Sequence, residues 1–407
     1  MNSLVATLNS RSNRLYDSGI KEMIEMVHQS GALSFTAGEP SMDLIQTDQI
    51  RQALWESLKT PDDLLSYYHD PCGLIPLRDW IVDWMKSDGL LPAGIGSKSL
   101  LLTSGSQEGL NLIAESVIDE GDLVITENPS YPEAFLVFAK EGAKLKSVNL
   151  DSQGPSPEEI EHIAKRDKIK IFYTTPCFQN PSGSVTSLSR RKEILALAKR
   201  YNFLLLEDDP YRHLWFNSPP PPSYISLPEN DGRVIYLGSF SKIIAPGIRC
   251  GWIVAPDWIS KTLLRLRVAS HLNLPALIHQ GILNYVREST FFDHLACLRE
   301  AYEKRRDALI QSLRRYIPPG VFSFSVPEGG FFLWGRAPLL LDSGGFARFA
   351  VNEERVGVLS GEIFSFDPKS TAKGTIRLSY AKVTEEEAEE GCLRLARAFS
   401  KFAFQKT

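Results

Sequence analysis

Between about residues 98 and 256, short apolar runs alternate with stretches whose apolar positions recur at helical spacing. The runs cover 100–102, 123–126, 169–174, 203–206, 234–237 and 251–255. Between them, Leu110, Ile113, Ala114 and Val117 share one face of a helix, as do Ile194, Leu197 and Ala198. A strand that is apolar at consecutive positions has both faces buried. Such strands separated by helices predict an α/β fold: a mostly parallel sheet covered by helices on both sides.

The texture changes after about residue 285. A long charged helical pattern over 286–313 leads to apolar segments at 321–326 and 331–334, a short helix, a strand centred on Leu378 and a closing helix over 385–399. This pattern predicts a smaller α+β domain. Residues 14–30 also carry a helical pattern and precede Leu33, Ser34 and Phe35. The N-terminal arm is expected to pack with the C-terminal part, which makes the smaller domain discontinuous. The expected division is an arm over 1–40, a large ligand-binding domain over 41–285 and the small domain over 286–407. The run from Ser218 through four prolines to Ser223 is too short to separate domains and reads as a stiff surface loop.

Composition narrows the class. A chain of 407 residues with 43% hydrophobic positions can bury a large core without a metal or disulfide. Lys and Arg number 45 against 49 Asp and Glu, a net charge of −4, which argues against a nucleic-acid partner. Five cysteines without CxxC spacing read as reduced thiols, neither a disulfide framework nor a metal site. No apolar run approaches the roughly 18 residues of a membrane span, and the first residues lack the apolar stretch of a secretory signal. The expectation is a soluble cytoplasmic protein with no membrane contact.

Candidate chemistry sits at the ends of the apolar runs. Gly238-Ser239-Phe240-Ser241-Lys242 directly follows the run at 234–237. A Lys at the carboxyl end of a parallel strand, flanked by two hydroxyls, suits a Schiff base with a carbonyl cofactor. Arg249, seven residues on, offers a planar fork to a phosphate. The segment from Thr103 to Gly109, which includes Ser106 and Gln107, lies between strand and helix, where free backbone N–H groups face an anion. Gln179-Asn180-Pro181-Ser182-Gly183 follows the run at 169–174, Glu207-Asp208-Asp209-Pro210-Tyr211 ends the run at 203–206, and Arg377 sits inside an alternating strand. Alone, each has an ordinary reading: an exposed loop Lys, a helix cap, a turn, or a surface Arg. Together, and in this order, they supply a phosphate cradle, a Schiff-base Lys, a carboxylate and hydrogen-bond donors on one sheet edge. That set fits pyridoxal 5′-phosphate.

On these residues the chain resembles the fold-type-I, pyridoxal phosphate-dependent aminotransferases of class I/II. It is most similar to the branch with 2-aminoadipate and kynurenine aminotransferases and the transaminase-like half of MocR regulators. The resemblance runs from Ser34 to Ala381. It implies a mostly parallel seven-stranded sheet and a transaminase that moves an amino group between an L-amino acid and a 2-oxo acid, 2-oxoglutarate by resemblance, by a ping-pong mechanism. It further implies that Lys242 bonds the cofactor and moves the proton. Asp208, with Asp209 as second choice, pairs with the ring nitrogen, while Asn180 and Tyr211 bond the ring hydroxyl and Tyr131 stacks on the ring. Ser106, Gln107, Ser239, Ser241 and Arg249 hold the phosphate. Tyr68 reaches the phosphate of a neighbouring subunit, which implies a homodimer. Arg377 binds the substrate carboxylate beside the Gly38 backbone.

The chain departs from its relatives at Glu39, Ile45 and Gln46. The residue matching an Arg that meets the substrate's distal carboxylate is Lys21, which also reads as a solvated helix residue. Met23, Phe35 and Ile45 line an apolar pocket or belong to the core. The same scaffold also supports β-elimination, decarboxylation or C–C bond formation. A MocR-like ligand-sensing module is the non-enzymatic alternative.

Overall fold

The computed structural model describes residues 9–59, 63–66, 68–288, 290–367 and 372–404. The first eight residues of the expected arm lie outside the described residues. Fourteen strands follow one another among these residues. They are β1 (Leu33–Ser34), β2 (Leu100–Thr103), β3 (Leu123–Asn128), β4 (Lys144–Asp151), β5 (Gly154–Pro155), β6 (Ile169–Thr174) and β7 (Leu204–Asp208), then β8 (Val234–Ser239), β9 (Gly251–Val254), β10 (Ser323–Phe324), β11 (Phe332–Arg336), β12 (Val356–Gly357), β13 (Leu359–Ser360) and β14 (Thr375–Ser379).

The large sheet has the order β2-β9-β8-β7-β6-β3-β4-β5. Strands β8, β7, β6, β3 and β4 pair in parallel, β9 runs antiparallel to both β2 and β8, and β5 runs antiparallel to β4. All six expected apolar runs are strands. The sheet has eight strands where seven were expected, because the two-residue β5 extends its β4 edge. In contrast to the fully buried β3 and β8, β4 next to the sheet edge is mostly exposed or partly buried, with Val148 its one buried residue.

Side-chain alternation splits the strands between two apolar layers. Leu101, Val124, Ile171, Tyr173, Leu206, Ile235, Leu237 and Ile253 face one core, covered by helices Ser106–Val117, Pro132–Lys140 and Asp257–His271. Their neighbours Leu100, Leu102, Leu123, Ile125, Phe172, Leu205, Val234, Tyr236 and Trp252 face the other. That second core includes helices Ile75–Ser87 and Leu188–Tyr201 and continues into the C-terminal part. Two buried faces explain why these runs are apolar at every position.

The C-terminal part carries a four-stranded antiparallel sheet of order β10-β11-β14-β13, with helices Thr290–Tyr316, Ser343–Glu354 and Glu385–Phe404. Val286, at the start of the expected long helix, belongs instead to the preceding helix Ala276–Arg287. From the N-terminal segment, helix Ile20–Ser30 leads into β1, and β1 pairs in parallel with β12 through Leu33–Val356 and Ser34–Gly357. Chain start and chain end therefore build one wall of the same cleft. The proline run is held from within: Arg212 and Arg191 donate to the carbonyls of Pro221 and Pro222 at 3.0 Å each.

Candidate active site

The carboxyl ends of β2, β3, β6, β7 and β8 lie at one edge of the large sheet, where side chains leaving each strand converge. Strand β9 starts at this edge, with Gly251 opposite both Thr103 and Ser239, so Arg249 arrives there from an antiparallel strand. A cavity of about 940 Å³ opens at this edge. Ser106, Gln107, Tyr131, Asn180, Asp208, Tyr211, Ser239, Ser241, Lys242, Arg249, Arg377 and Gly38 all line it.

Lys242 donates from Nζ to the Gly38 carbonyl at 2.7 Å, and its nitrogen stands 5.9 Å from the centre of the Tyr211 ring. Burial is the largest influence on this amine and brings it down to about 8, with Glu39 pulling it upward. Asp208, the last residue of β7, accepts a hydrogen bond at Oδ2 from the Tyr173 hydroxyl at 2.8 Å. Its Oδ1 is buried without a protein partner. Burial pushes this carboxyl up to about 6, and the Tyr173 bond opposes the rise. The neighbouring Asp209, just past the end of β7, is paired with Arg212. Asp208 lines the cavity and Asp209, the second choice, does not.

Arg377, in the middle of β14, is buried. It donates from Nη1 to Asn180 Oδ1 at 2.8 Å and from Nη2 to the Thr36 carbonyl at 2.6 Å, while Nε has no partner. The Phe332 ring lies under the guanidinium at 4.1 Å. Burial brings this group down to about 10. The Asn180 turn is fixed from behind by Glu127, a buried acid that accepts from the Thr174 hydroxyl, from Thr175 N at 3.2 Å and from Gln179 Nε2 at 3.0 Å. Burial pushes Glu127 up to about 7.

The anion cradle is built on glycine. The helix Ser106–Val117 begins without a side-chain cap, at Gly105 with φ of 83°. A Cβ on Gly105 would lie 2.5 Å from Arg249 Nη2, and one on Gly251 would lie 2.9 Å from Ser106 N. Arg249 donates to the Ser104 carbonyl at 2.9 Å, and Ser241 N donates to Ser239 Oγ at 3.1 Å.

Two expected residues lie elsewhere. Lys21 is exposed, sits 3.8 Å from Glu25 and does not line the cavity, in keeping with the reading of a solvated helix residue. Its neighbours Ile20 and Ile24 line the cavity with Val27, the stripe that helical spacing puts on one face. Tyr68 is 75% exposed and away from the cavity within this chain. Met23 and Phe35 are core residues, and Ile45 packs against the core. Tyr173, Thr175 and Lys382 line the cavity without having been singled out from sequence, and Lys382 is paired with Glu39 there.

This chain belongs to the aminotransferases of class I and II, whose family model matches residues 30–395. It is a pyridoxal 5′-phosphate-dependent aminotransferase acting on small-molecule amino acids. It is 31% identical over 389 residues to a 2-aminoadipate transaminase of Thermus thermophilus, covering 95% of each chain. It is 33% identical over 384 residues to aromatic-amino-acid aminotransferase 1 of Thermococcus litoralis, covering 93% of this chain and 90% of that one. The crystal structure of a kynurenine aminotransferase of Pyrococcus horikoshii matches it with a TM-score of 0.92 and 30% identity over 98% of each chain. Helix-turn-helix transcriptional regulators are also among its relatives.

The cavity fits this cofactor. A buried, unpartnered carboxylate oxygen on Asp208 suits a protonated ring nitrogen, and the amine of Lys242 suits the aldehyde. The glycine-framed helix start beside Arg249 suits a phosphate. Among the described residues no cluster of His, Cys, Asp and Glu has metal-binding geometry, and no helix is long and apolar enough to cross a membrane.

Proposed function

We propose that the reaction is a ping-pong exchange between an L-amino acid and a 2-oxo acid, with 2-oxoglutarate as acceptor. The single observation that carries this reading is that Lys242, Asp208 and Arg377 line one cavity. Bound pyridoxal phosphate supplies an aldehyde for the amino group and a ring that accepts the electrons released at the substrate Cα. With its amine brought down to about 8, Lys242 carries a much larger neutral fraction near physiological pH than an ordinary lysine, though the charged form still predominates. Its Nζ therefore serves as nucleophile toward the aldehyde and as acceptor of the Cα proton. Asp208 Oδ1 holds the ring-nitrogen proton, while Asn180 and Tyr211 bond the ring oxygen and Tyr131 packs against the ring. Ser106, Gln107, Ser239, Ser241 and Arg249 hold the phosphate. Arg377 binds the substrate α-carboxylate beside the Gly38 backbone, using its unpartnered Nε.

The outer wall of Ile20, Ile24 and Val27 supports a donor with an apolar side chain. The exposed Tyr68 supports a homodimer in which it reaches the partner's phosphate site. Pairing of β1 with β12 supports the division into an arm over 1–40, a large domain over 41–285 and a small domain over 286–407. The net charge of −4 supports a protein without a nucleic-acid partner, and we place it in the cytoplasm.

The test is the half-reaction. Single amino acids added to the holoenzyme should abolish the visible absorbance of the bound cofactor, and 2-oxoglutarate should restore it. If no common amino acid produces the loss, or if ammonia or CO₂ is released in its place, the reading fails.

A further inference from the structure

Asp208 has one satisfied oxygen and one waiting oxygen. Oδ2 takes the Tyr173 hydroxyl at 2.8 Å, and Oδ1 is buried and unpartnered at the cavity edge. Tyr173 is fully buried on β6, next to β7, with its ring edge-on to Phe138 at 5.6 Å. Its phenol is pushed well above its ordinary range, by burial first and then by Asp208, so it stays protonated and acts as a donor. Besides Tyr173, the charged or titratable groups around Asp208 are Asp209 and Glu127, which oppose its ionisation, Lys242, which favours it, and the phenols of Tyr131 and Tyr211, which its charge keeps protonated.

A hydrogen bond to a carboxylate stabilises the anion. When an acid shares a proton with a ring nitrogen, stabilising the anion shifts that proton onto the nitrogen. We propose that Tyr173 is a positioning residue for the cofactor: its hydroxyl occupies Oδ2, keeps Asp208 ionised and leaves Oδ1 aimed at the ring nitrogen, so the proton resides on the nitrogen and not on the carboxyl. This inference rests on the cofactor placement proposed above. It assigns a role to a buried side chain that acts through its hydrogen bond to Asp208.

The experiment uses holoenzyme loaded with pyridoxal phosphate labelled with ¹⁵N in the ring, and follows the ring-nitrogen resonance with pH. In the native enzyme the nitrogen should be protonated at neutral pH. Tyr173→Phe removes one buried oxygen and should move the resonance toward the unprotonated position. Turnover should then fall about ten- to a hundredfold, with the donor KM changed less than about threefold. A second variant carries 3-fluorotyrosine in place of Tyr173, which preserves shape and strengthens the donor. It should move loss of the ring proton to higher pH than in the native enzyme, and it reads the same role if Tyr173→Phe does not fold. Phe138→Leu, which alters core packing including the contact with the Tyr173 ring but keeps its hydroxyl, should leave the resonance in place.

A ring-nitrogen resonance insensitive to both Tyr173 substitutions overturns the proposal. If Asp208→Asn also leaves it unmoved, the cofactor placement itself is wrong. If Asp208→Asn shifts it and the Tyr173 substitutions do not, only the role of Tyr173 falls.

Discussion

The guanidinium of Arg377 donates to the side-chain oxygen of Asn180 at 2.8 Å, joining residues 197 positions apart. The bond ties the middle strand of the C-terminal sheet to the loop after β6. It sets the proposed carboxylate clamp against the group proposed for the ring oxygen. Because Nη1 and Nη2 are already engaged by Asn180 and Thr36, the geometry of the remaining donors is fixed before a substrate arrives.

Arg377→Lys should therefore cost more than a conserved charge suggests. A lysine cannot satisfy Asn180, Thr36 and a carboxylate at the same time. We expect kcat/KM for amino donors to fall by about 2–4 kcal/mol, or about thirty- to a thousandfold, with most of the loss in donor KM. Cofactor affinity should change little. Steady-state kinetics together with a cofactor titration separate the two effects.

Lys242 should react as an unusually weak base. In the cofactor-free protein, the rate of covalent capture of pyridoxal phosphate should rise with pH around a midpoint near 8, because the neutral amine is the nucleophile. An ordinary lysine would show this rise near 10.5. Lys242→Ala should abolish borohydride-trapped adduct at this position and reduce turnover about 10²–10⁴-fold. Stopped-flow absorbance and mass spectrometry read both outcomes.

Asp208 trades stability for function. Its carboxyl is raised from 3.8 to about 6 in the folded chain, so the native state binds the proton more tightly than the unfolded chain does. Its favourable contribution is complete below about pH 4 and is lost as pH rises through about 6. Above that, the buried anion opposes folding by up to about 3 kcal/mol. Asp208→Asn should raise the melting temperature of the cofactor-free protein at pH 8 and give no gain near pH 4. It should also weaken cofactor binding, which reverses the order of stability once pyridoxal phosphate is added.

The outer pocket carries an ion pair, Glu39 with Lys382, on its wall. Both partners are partly exposed, so the pair contributes little stability. Glu39→Gln should leave Lys382 free to meet a second carboxylate. We expect KM for dicarboxylic acceptors to fall a few fold while KM for apolar donors stays constant. Lys382→Met should produce the opposite change for dicarboxylates. A two-by-two comparison of variants and acceptors checks the pairing.

Much of this site is legible in the sequence because it sits at strand ends, where an apolar run stops and polar residues begin. Lys242, Asp208, Asn180 and the Ser106–Gln107 turn all have that signature. Tyr173 does not: it lies inside β6, where a buried aromatic reads as core, and only the register of β6 beside β7 puts its hydroxyl on Asp208. Lys21 lies off the cavity face through helical phase, since adjacent residues lie about 100° apart around the axis. Ile20 and Ile24 take the cavity face, and Lys21 turns to Glu25. Strand β4 escaped the search for apolar runs because its apolar residues Leu145 and Val148, which pack against different cores, stand among exposed polar ones. Glu127, directly after the apolar run at 123–126 and just before Asn128-Pro129, carries the same strand-end signature, but only the structure shows that it faces the Asn180 turn.

The pairing of β1 with β12 also orders events during synthesis. Leu33 and Ser34 leave the ribosome early, but Val356 and Gly357 follow about three hundred residues later. The carbonyls of Thr36 and Gly38, which hold Arg377 and Lys242, hang from that waiting strand. A nascent chain can fold its large sheet early, yet its catalytic cleft closes only once β12 and Arg377 have emerged.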